Sequence, residues 1–195
     1  MDRLFVCAAV IDGGGFVRRQ LELGTTVHVW NRSPEKARAL VADGAVFFDE
    51  PARAVAGVER LHLTLADDAS VDAVLEPLAK VLAPTTTIVD HTTLSASLTA
   101  QRTARWDDRG IAYVHAPVFM QPQAARVGSM VMMTSTTQAR YDALRPALER
   151  MTGNLVYLGD HPARAAAFKL FGNLMVIATS AAVADINRLA CAVGI

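Results

Sequence analysis

Strand-like and helix-like segments alternate along most of the chain. The strand-like segments are short runs of β-branched, leucine and aromatic residues, whereas the longer segments repeat apolar residues at helical spacing. Such alternation is typical of a parallel sheet with helices on both faces, so we predict a doubly wound α/β fold. The predicted strands are residues 4–10, 27–30, 45–48, 60–65, 86–90, 112–115, 130–134 and 155–158. The predicted helices are residues 16–23, 34–42, 52–58, 69–78, 95–108 and 138–151.

Local signals mark where several of these helices begin or end. Ser33 stands before Pro34, and Ser95 opens the helical segment that follows the fifth strand. We expect both serines to cap a helix, because a serine side chain accepts a hydrogen bond from the first turn and proline suits the first helical position. Gly24 and Gly44 follow helical segments, and we expect both in the left-handed conformation that ends a helix.

The chain changes character at residue 163. Residues 163–193 contain no proline and one glycine, Gly172, and are rich in apolar residues, which predicts a helix much longer than the usual ~3 turns. We therefore divide the chain into a domain at 1–162 and a long helix at 163–195. The helix is apolar on too many sides for one domain to cover. We expect it to pair with a second copy of the chain in a homodimer, or to pack against a further helical domain.

Composition narrows the class of protein. Apolar residues make up 52% and charged residues 19% of the chain, and 19 basic residues balance 19 acidic ones, which indicates a globular protein and argues against nucleic acid as a partner. Cys7, Cys191 and the five histidines show no metal-ligand spacing, so we expect no metal and a reducing compartment. The first apolar run is too short for a signal peptide or a membrane span, and charged residues interrupt the last one. We expect a cytoplasmic protein that enters no membrane.

The turn after the first strand is the first candidate site. In a Rossmann-type dinucleotide fold this turn reads GxGxxG, because glycines let the backbone approach the pyrophosphate at a helix N-terminus. Here residues 5–16 read FVCAAVIDGGGF, so the first two glycines are missing and the third position falls to either Asp12 or Gly13. Asp12 in that position would set a carboxylate close to the diphosphate. The three consecutive glycines still offer backbone N–H groups. We place cofactor contacts at Val10, Ile11, Asp12 and Gly13, with an ordinary glycine turn as the alternative.

The end of the second strand indicates which nicotinamide cofactor binds. Asn31, Arg32 and Ser33 follow Trp30 directly. An NAD site usually has an acidic residue here for the ribose 2′-hydroxyl, whereas an arginine accommodates the 2′-phosphate of NADP. The sequence therefore favours NADP over NAD, with these three residues as cofactor contacts. The alternative is a solvated loop with a helix cap.

Six short segments carry a family resemblance. They read VWNRSPEKA at 29–37, LTLADD at 63–68, VDHTT at 89–93, APV at 116–118, GSM at 128–130 and KLFGN at 169–173. Together they resemble the β-hydroxyacid dehydrogenases, which include 3-hydroxyisobutyrate dehydrogenases, glyoxylate and succinic semialdehyde reductases and imine reductases. The N-terminal part of these proteins is an NAD-binding domain of the 6-phosphogluconate dehydrogenase type, and an all-helical domain then closes the active site.

The resemblance implies further cofactor contacts. Leu65, Ala66 and Asp67 correspond to the family segment that skirts the cofactor after the fourth strand, and Thr93 lies in the segment after the fifth strand. For the two acidic residues Asp67 and Asp68, a solvated turn before the next helix is the alternative.

The resemblance also implies the catalytic residues. Lys169 corresponds to the family's general acid and base, which protonates the carbonyl oxygen as hydride arrives, and Asn173 corresponds to the residue that orients the substrate. A helix brings both to one face, whose small neighbours leave room for a ligand. This face comprises Ala165, Ala166, Lys169, Gly172, Asn173 and Val176. We expect the flanking Phe168, Leu170 and Phe171 to desolvate the lysine; a surface lysine on an amphipathic helix is the alternative.

One departure from the family bears on the substrate. Where the family has SGG after APV to grip a substrate carboxylate, this chain has Phe119, Met120 and Gln121. Bulky side chains do not reproduce that grip, so these residues predict a larger or more apolar substrate than a small hydroxy acid. Imine reductases also vary this loop but generally replace the lysine, so Lys169 argues against that branch.

Three functional hypotheses follow. The first is an NADP-dependent oxidoreductase that transfers hydride between the nicotinamide and a carbonyl or hydroxyl substrate. The second is a non-catalytic module that keeps the fold and dimerises through the long helix, and the third is a truncated or variant form that binds cofactor but turns over poorly. We favour the first, because a decayed site has no reason to keep Arg32, Thr93, Lys169 and Asn173 together. The altered phosphate turn and the absence of a helical domain favour the others.

Overall fold

The computed structural model describes residues 3–8, 13–119 and 127–195, with side chains from residue 14 onward in these ranges. Six parallel strands form one sheet in the order β3-β2-β1-β4-β5-β6. They are β1 (Arg3–Ala8), β2 (Thr26–Trp30), β3 (Val46–Phe47), β4 (Arg60–Thr64), β5 (Thr87–Asp90) and β6 (Ala112–His115). The strand order reverses between β1 and β4, and in such sheets ligands bind at this point, beyond the carboxyl ends of the strands. The predicted doubly wound α/β fold is confirmed.

Helices cover both faces of this sheet. In β4 the consecutive residues Leu61, His62 and Leu63 are 0%, 1% and 0% exposed, so side chains on both faces are buried. Parallel strands buried in this way read as continuous apolar runs, which is why the sequence predicts them. The helices are α1 (Gly13–Glu22), α2 (Pro34–Arg38), α3 (Pro51–Ala54), α4 (Asp68–Leu78), α5 (Ala96–Asp108), α6 (Gln138–Glu149) and α7 (Arg164–Ala192), with a 3₁₀ helix (Ala39–Asp43) after α2.

Three further strands form a separate small sheet in the order β7-β8-β9. They are β7 (Val118–Phe119), β8 (Val131–Thr134) and β9 (Asn154–Tyr157). β7 is antiparallel to β8, and β8 is parallel to β9. The sequence predicts β8 and β9 but not β7, because two residues are too few to show a strand pattern. β7 matters for the site because Phe119 lies in it.

The helix ends agree with the predictions except at one serine. Gly24 and Gly44 have positive φ angles of 79° and 104°, and Ser95 Oγ accepts a hydrogen bond from the first turn of α5 at 3.2 Å. Ser33 occupies the cap position of α2, but its side chain makes no capping hydrogen bond. Its N–H instead donates to Asn31 Oδ1 at 2.8 Å. The predicted cap at Ser33 is therefore wrong, because an asparagine-centred turn organises this loop.

Of the described elements, α7 leaves the most apolar surface uncovered. It spans 29 residues, of which Ala165 and Ala166 are buried, whereas residues 174–189 are all exposed. Among the described helices it is the one that is long and apolar enough to cross a membrane by length and composition, with 11% of its most apolar window buried. The predicted long helix is confirmed, and the α/β domain does not cover it.

Candidate functional site

The end of β1 and the start of α1 lie at the point where the strand order reverses. β1 ends at Ala8 and α1 begins at Gly13, so the first N–H groups of α1 lack partners within the helix and can bind an anion. Of the predicted phosphate contacts, Gly13 lies at this helix start. Val10, Ile11 and Asp12 fall outside the described residues. The described part of the turn thus keeps one element of a diphosphate site, a helix N-terminus at the sheet edge.

The end of β2 holds an arginine next to this turn. Asn31 is 6% exposed and organises the loop through Ser33, while Arg32 is exposed. Hydrogen bonds from Ser70 lower the pKa of Asp67, and the positive charge of Arg32 lowers it further. Arg32 and Asp67 are therefore within electrostatic reach of each other. They follow β2 and β4, which flank β1 in the sheet, so the two groups border the predicted cofactor edge.

Thr92 ties the end of β4 to the end of β5. Its Oγ1 accepts a hydrogen bond from the Leu65 N–H at 3.0 Å, and its own N–H donates to Asp90 Oδ1 at 2.9 Å. Its carbonyl oxygen accepts from His115 Nε2 at 2.8 Å. Thr92 is 2% exposed, whereas the next residue, Thr93, is exposed at the surface. The buried threonine thus fixes the backbone that presents Thr93.

The segment after β4 lies at the same edge. Leu65 is buried, and Ala66 and Asp67 are exposed. The Asp67 side chain accepts a hydrogen bond from the Ser70 N–H at 2.8 Å and so caps α4. Through Thr92, the structure brings this segment next to the predicted contact that follows β5.

Behind this edge lies a buried stack of rings that the sequence did not reveal. The Phe16 ring, in the first turn of α1, stacks on His91 with 4.8 Å between centroids, and His91 stacks on His62 at 5.2 Å. His91 Nδ1 is 2.6 Å from the Ala116 carbonyl oxygen, and its Nε2 is 2.9 Å from His62 Nδ1. A carbonyl only accepts, so neutral His91 donates from Nδ1 and accepts at Nε2 from His62. The stack ties the start of α1 to the central strands.

Burial keeps these histidines neutral. Loss of solvent lowers the pKa of His91 to about 4, although the hydrogen bond to Ala116 acts in the opposite direction. Burial likewise lowers the pKa of His115 to about 4. The pKa of His62 lies well below its usual value because of burial and the neighbouring His91. At neutral pH these side chains therefore stack and form hydrogen bonds without carrying charge.

Asp90 is the acidic member of this buried group. It is 0% exposed, and its Oδ2 accepts a hydrogen bond from the Tyr113 hydroxyl at 2.7 Å. Burial raises the pKa of the Asp90 carboxyl, and the hydrogen bonds from Thr92 and Tyr113 oppose that shift. Asp90 is enclosed by these partners, so it serves as a fixed acceptor that positions Thr92.

Lys169 and Phe119 meet where α7 passes β7. Lys169 Nζ lies 4.0 Å from the centroid of the Phe119 ring, well within the range of a cation–π contact. The edge of the same ring faces Gly172, where an added Cβ would lie 2.2 Å from Phe119 Cζ. The prediction that this helix face leaves open room for a ligand is therefore wrong at Gly172, because the Phe119 ring fills the space. Asn173, one turn after Lys169, is partly buried.

The predicted desolvation of Lys169 by its neighbours in sequence is also wrong. Those neighbours are Phe168, Leu170 and Phe171, which are 48%, 40% and 62% exposed. They turn away from the domain, and Phe119 covers the lysine in their place. Of the other predicted substrate contacts, Met120 and Gln121 lie outside the described residues.

A hydroxyl group just after β8 fixes the start of α7. Ser135 Oγ accepts a hydrogen bond from the Ala165 N–H at 2.9 Å and donates to the Pro162 carbonyl oxygen at 3.3 Å. Ala165 and Ala166 are 0% exposed. Lys169 lies four residues after Ala165, and therefore on nearly the same face of the helix. The anchor thus sets the rotation of α7 that aims Lys169 toward β7.

Two clefts of the described chain lie away from this edge. One, of about 190 Å³, is lined by Gln20, Arg60, Ala143, Pro146, Ala147 and Arg150. The other, of about 170 Å³, shares Arg60. Arg60 is the first residue of β4, so both clefts lie at the amino end of the strands, opposite the predicted cofactor contacts. Within the described ranges, no three His, Cys, Asp or Glu side chains converge as metal ligands do.

Comparison with known proteins places the chain in a family. The model of the NAD binding domain of 6-phosphogluconate dehydrogenase matches residues 10–159. The chain is 26% identical over 176 residues to the uncharacterized oxidoreductase YfjR of Bacillus subtilis, which covers 89% of this chain and 62% of that protein. It is 24% identical over 184 residues to the mitochondrial 3-hydroxyisobutyrate dehydrogenase of Drosophila melanogaster, with 94% of this chain and 56% of that protein covered. A solved structure of a Streptomyces aurantiacus imine reductase superposes with a TM-score of 0.83 at 27% identity, over 94% of this chain and 64% of that one.

These matches confirm the resemblance that the six sequence segments indicate. The chain spans 62% and 56% of the two curated relatives, so it corresponds to part of their length. The matched region runs from the turn after β1 to the end of the small sheet. The chain therefore belongs to the family of the NAD-binding domain of 6-phosphogluconate dehydrogenase.

Proposed function

We propose that the protein is an NADP-dependent oxidoreductase of the β-hydroxyacid dehydrogenase type, which transfers hydride between the nicotinamide and a carbonyl or hydroxyl substrate. The observation that carries this proposal is the position of Lys169. Its ammonium lies against the Phe119 ring, one helical turn from Asn173, in a chain of an NAD-binding family. A lysine without a role usually extends its charged end into water, whereas this one is held against the domain.

The described residues fit a nicotinamide dinucleotide. The N-terminus of α1 suits a diphosphate, and the exposed Arg32 suits a 2′-phosphate. The segment after β4 and Thr93 after β5 lie at the same edge, on the other side of β1 from Arg32. NADPH, when bound, supplies the hydride.

Lys169 and Asn173 carry the remaining chemistry. In the reduction direction, Lys169 passes a proton from Nζ to the carbonyl oxygen of the substrate, and in the oxidation direction it takes the proton back. Asn173 donates a hydrogen bond from its amide to orient the substrate. We assign Phe119, Met120 and Gln121 to the substrate side. The phenyl ring offers no donor to a carboxylate, which favours a larger or more apolar carbonyl compound over a small hydroxy acid.

Cofactor titration tests this proposal. The purified chain is titrated separately with NADPH and NADH, and binding is followed by fluorescence or heat. Micromolar binding of NADPH, clearly tighter than that of NADH, supports it. No binding of either cofactor contradicts it, and shows that the altered turn at Asp12 has disabled the phosphate site.

The preference for NADP is assigned to Arg32. Replacing Arg32 with Asp removes the cation for the 2′-phosphate and adds an acceptor for a ribose hydroxyl, so preference should shift toward NADH. Arg145→Asp is the matched control, because the Arg145 side chain is 56% exposed and its helix lines a cleft at the opposite, amino end of the strands. An unchanged cofactor preference in the Arg32 variant would remove the assignment.

We extend the proposal to the assembly and its location. The chain, divided at residues 162 and 163 into a Rossmann domain and a long helix, forms a homodimer through the exposed apolar residues of α7, in the cytoplasm, without a nucleic-acid or membrane partner. Light scattering that gives twice the mass of one chain in the absence of lipid supports the dimer. Because α7 also has the length and composition of a membrane span, flotation of the chain with neutral liposomes is the contrary outcome.

A non-catalytic module is the second candidate function. The exposed α7 favours it, because a site around Lys169 that stays open to water loses much of the electrostatic advantage of an enclosed active site. Tight NADPH binding without turnover of any aldehyde or keto acid would favour this candidate or a poorly active form. Turnover that depends on Lys169 would exclude it.

A further inference from the structure

The contact between Phe119 and Gly172 has no place in the proposed chemistry. A Cβ at Gly172 would lie 2.2 Å from Cζ, 2.9 Å from Cε1 and 3.1 Å from Cε2 of the Phe119 ring. Real Cβ atoms do not approach so closely, so this ring and any larger residue at position 172 exclude each other. Glycine destabilises a helix interior relative to alanine, and α7 is otherwise rich in alanine. A glycine here needs a compensating contact, and the ring provides it.

The face of the same ring is turned to the lysine. Lys169 Nζ lies 4.0 Å from the ring centroid, and the negative face of an aromatic ring attracts a cation within about 6 Å. One phenyl ring therefore makes two contacts of different kinds. Its edge rests on the helix backbone at Gly172, and its face receives the ammonium.

β8 links the Phe119 ring to the helix that carries Lys169. Phe119 pairs with Val131 across β7 and β8. At the other end of β8, Ser135 binds the Ala165 N–H at the start of α7. The ring and the lysine are thus held by regular elements, which position side chains more precisely than loops do.

We infer that Phe119 is a positioning residue for Lys169. Its ring holds the lysine side chain in one orientation and favours the protonated ammonium over the neutral amine, and Gly172 provides the space in which the ring sits. The inference rests on the proposed role of Lys169 as the acid–base group. With one side of the ammonium on the ring, its protons point to the remaining sides, where a carbonyl oxygen can receive one.

The contact can be observed without any turnover. The chain contains three lysines, Lys36, Lys80 and Lys169, so reductive ¹³C-methylation gives few NMR signals, and Lys169→Arg assigns the relevant one. A group above a ring face is shifted upfield by the ring current. We expect the Lys169 methyl signal upfield of the other two lysine signals, which come from exposed side chains.

Substitution of the ring tests the contact directly. Phe119→Leu keeps apolar bulk but removes the π face, so the upfield shift of the Lys169 signal should vanish. Phe119→Tyr should restore the shift. Phe171→Leu is the matched control on the same helix, because Phe171 is 62% exposed. A Lys169 signal that does not move in Phe119→Leu, or moves equally in the control, overturns the inference.

Gly172→Ala tests the contact between Phe119 and Lys169 by a substitution in α7. The new Cβ displaces the ring, so this variant should also lose the upfield shift, which keeps the test decisive if Phe119→Leu does not fold. In the double variant Phe119→Leu/Gly172→Ala, the new methyl group should fit beside position 119 without displacing a ring. An upfield shift that persists in Gly172→Ala contradicts the inference.

Kinetics then connect the contact to catalysis. With a turned-over substrate, Phe119→Leu should lower kcat by roughly tenfold to a hundredfold with a smaller change in KM, because a lysine that has lost its contact with the ring is less precisely placed in the transition state. Tyrosine should rescue kcat. If Lys169 shows the upfield shift and no substrate is turned over, the proposed function fails and the contact is confirmed. If turnover occurs without the shift, the inference alone fails.

Discussion

The carboxyl edge of the large sheet and the long helix α7 are held in opposite ways. At the edge, Thr92 alone makes three hydrogen bonds, and His91 is stacked between two rings in the interior. By contrast, α7 is anchored mainly at its start, through Ser135 and two buried alanines. The cofactor edge is therefore supported from within the chain. By contrast, α7, which carries Lys169, is held in place by a few contacts, and most of its length is exposed.

The largest effect is expected at the lysine. Lys169→Ala should reduce turnover by about 10²- to 10⁴-fold, the usual contribution of a general acid or base. Because Lys169 is only partly buried, the variant should keep its fold and its NADPH affinity. Steady-state kinetics and cofactor titration measure both. Lys80→Ala, at an exposed position, is the control, and a Lys169 variant as active as the parent would disprove the hydride-transfer proposal.

A substitution at the carboxyl edge of the large sheet should lower the stability of the fold more than a substitution on α7. His91→Ala opens a cavity beside Phe16 and leaves the Ala116 carbonyl without its donor, so it should lower the free energy of unfolding by about 3 kcal/mol. Phe171→Ala removes an even larger ring from α7 but should change the free energy of unfolding by less than ~0.5 kcal/mol, since that ring is 62% exposed. Urea unfolding compares the two. Equal losses would remove the contrast between the regions.

Lowering the pH should destabilise the carboxyl edge of the large sheet before it affects α7. His91 and His115 have a pKa of about 4 in the folded chain, against 6.5 for an ordinary histidine. Below pH 6.5 the unfolded chain therefore binds protons that the folded chain refuses, and stability falls as the pH drops toward 4. The raised pKa of Asp90 acts in the opposite direction and offsets part of this loss.

We expect a net loss of stability over this pH range, because the shifts of the two histidines outweigh that of one carboxyl. Urea midpoints between pH 7 and about pH 4 provide the measurement. A midpoint that stays constant over this range would show that the buried histidines do not set the acid response.

The smallest effect on unfolding is expected in the middle of α7. Leu174→Gln and Ile177→Gln replace side chains that are 64% and 66% exposed, so the unfolding free energy of a single chain should change by less than ~0.5 kcal/mol. Self-association should nevertheless weaken, because apolar surface that would be buried between copies becomes polar. Sedimentation at several concentrations measures this, with Val81→Gln as a control on the α/β domain. Association that these variants do not alter would place the dimer contact elsewhere.

The fold could be predicted because its signals are local. The strand at 112–115 has the predicted bounds, and β4 falls within the predicted strand at 60–65. The long helix is visible from residues 163–193, which contain no proline and one glycine and are rich in apolar residues. The glycines at 24 and 44 end helices because their backbone adopts positive φ, a property of those residues themselves.

The site could be predicted only in part, because its key contacts join distant segments. The motifs pointed to Thr93 and Lys169, but no pattern showed that Thr92 is the residue that fixes this edge. His62 lies in the middle of β4, His91 directly follows β5, and His115 ends β6. Polar residues on central, buried strands were a usable signal for a hydrogen-bonded cluster. The packing of Phe119 on α7 had no such signal, since β7 is too short to be recognised.

Gly172 and Phe119 are also coupled in the substitutions that each tolerates. Alanine at position 172 would favour the helix, but its Cβ would overlap the Phe119 ring unless the ring moves. A smaller residue at position 119 would remove that overlap. We therefore expect the effect of Gly172→Ala on stability to depend on the residue at position 119, and the two positions to change together among close homologues.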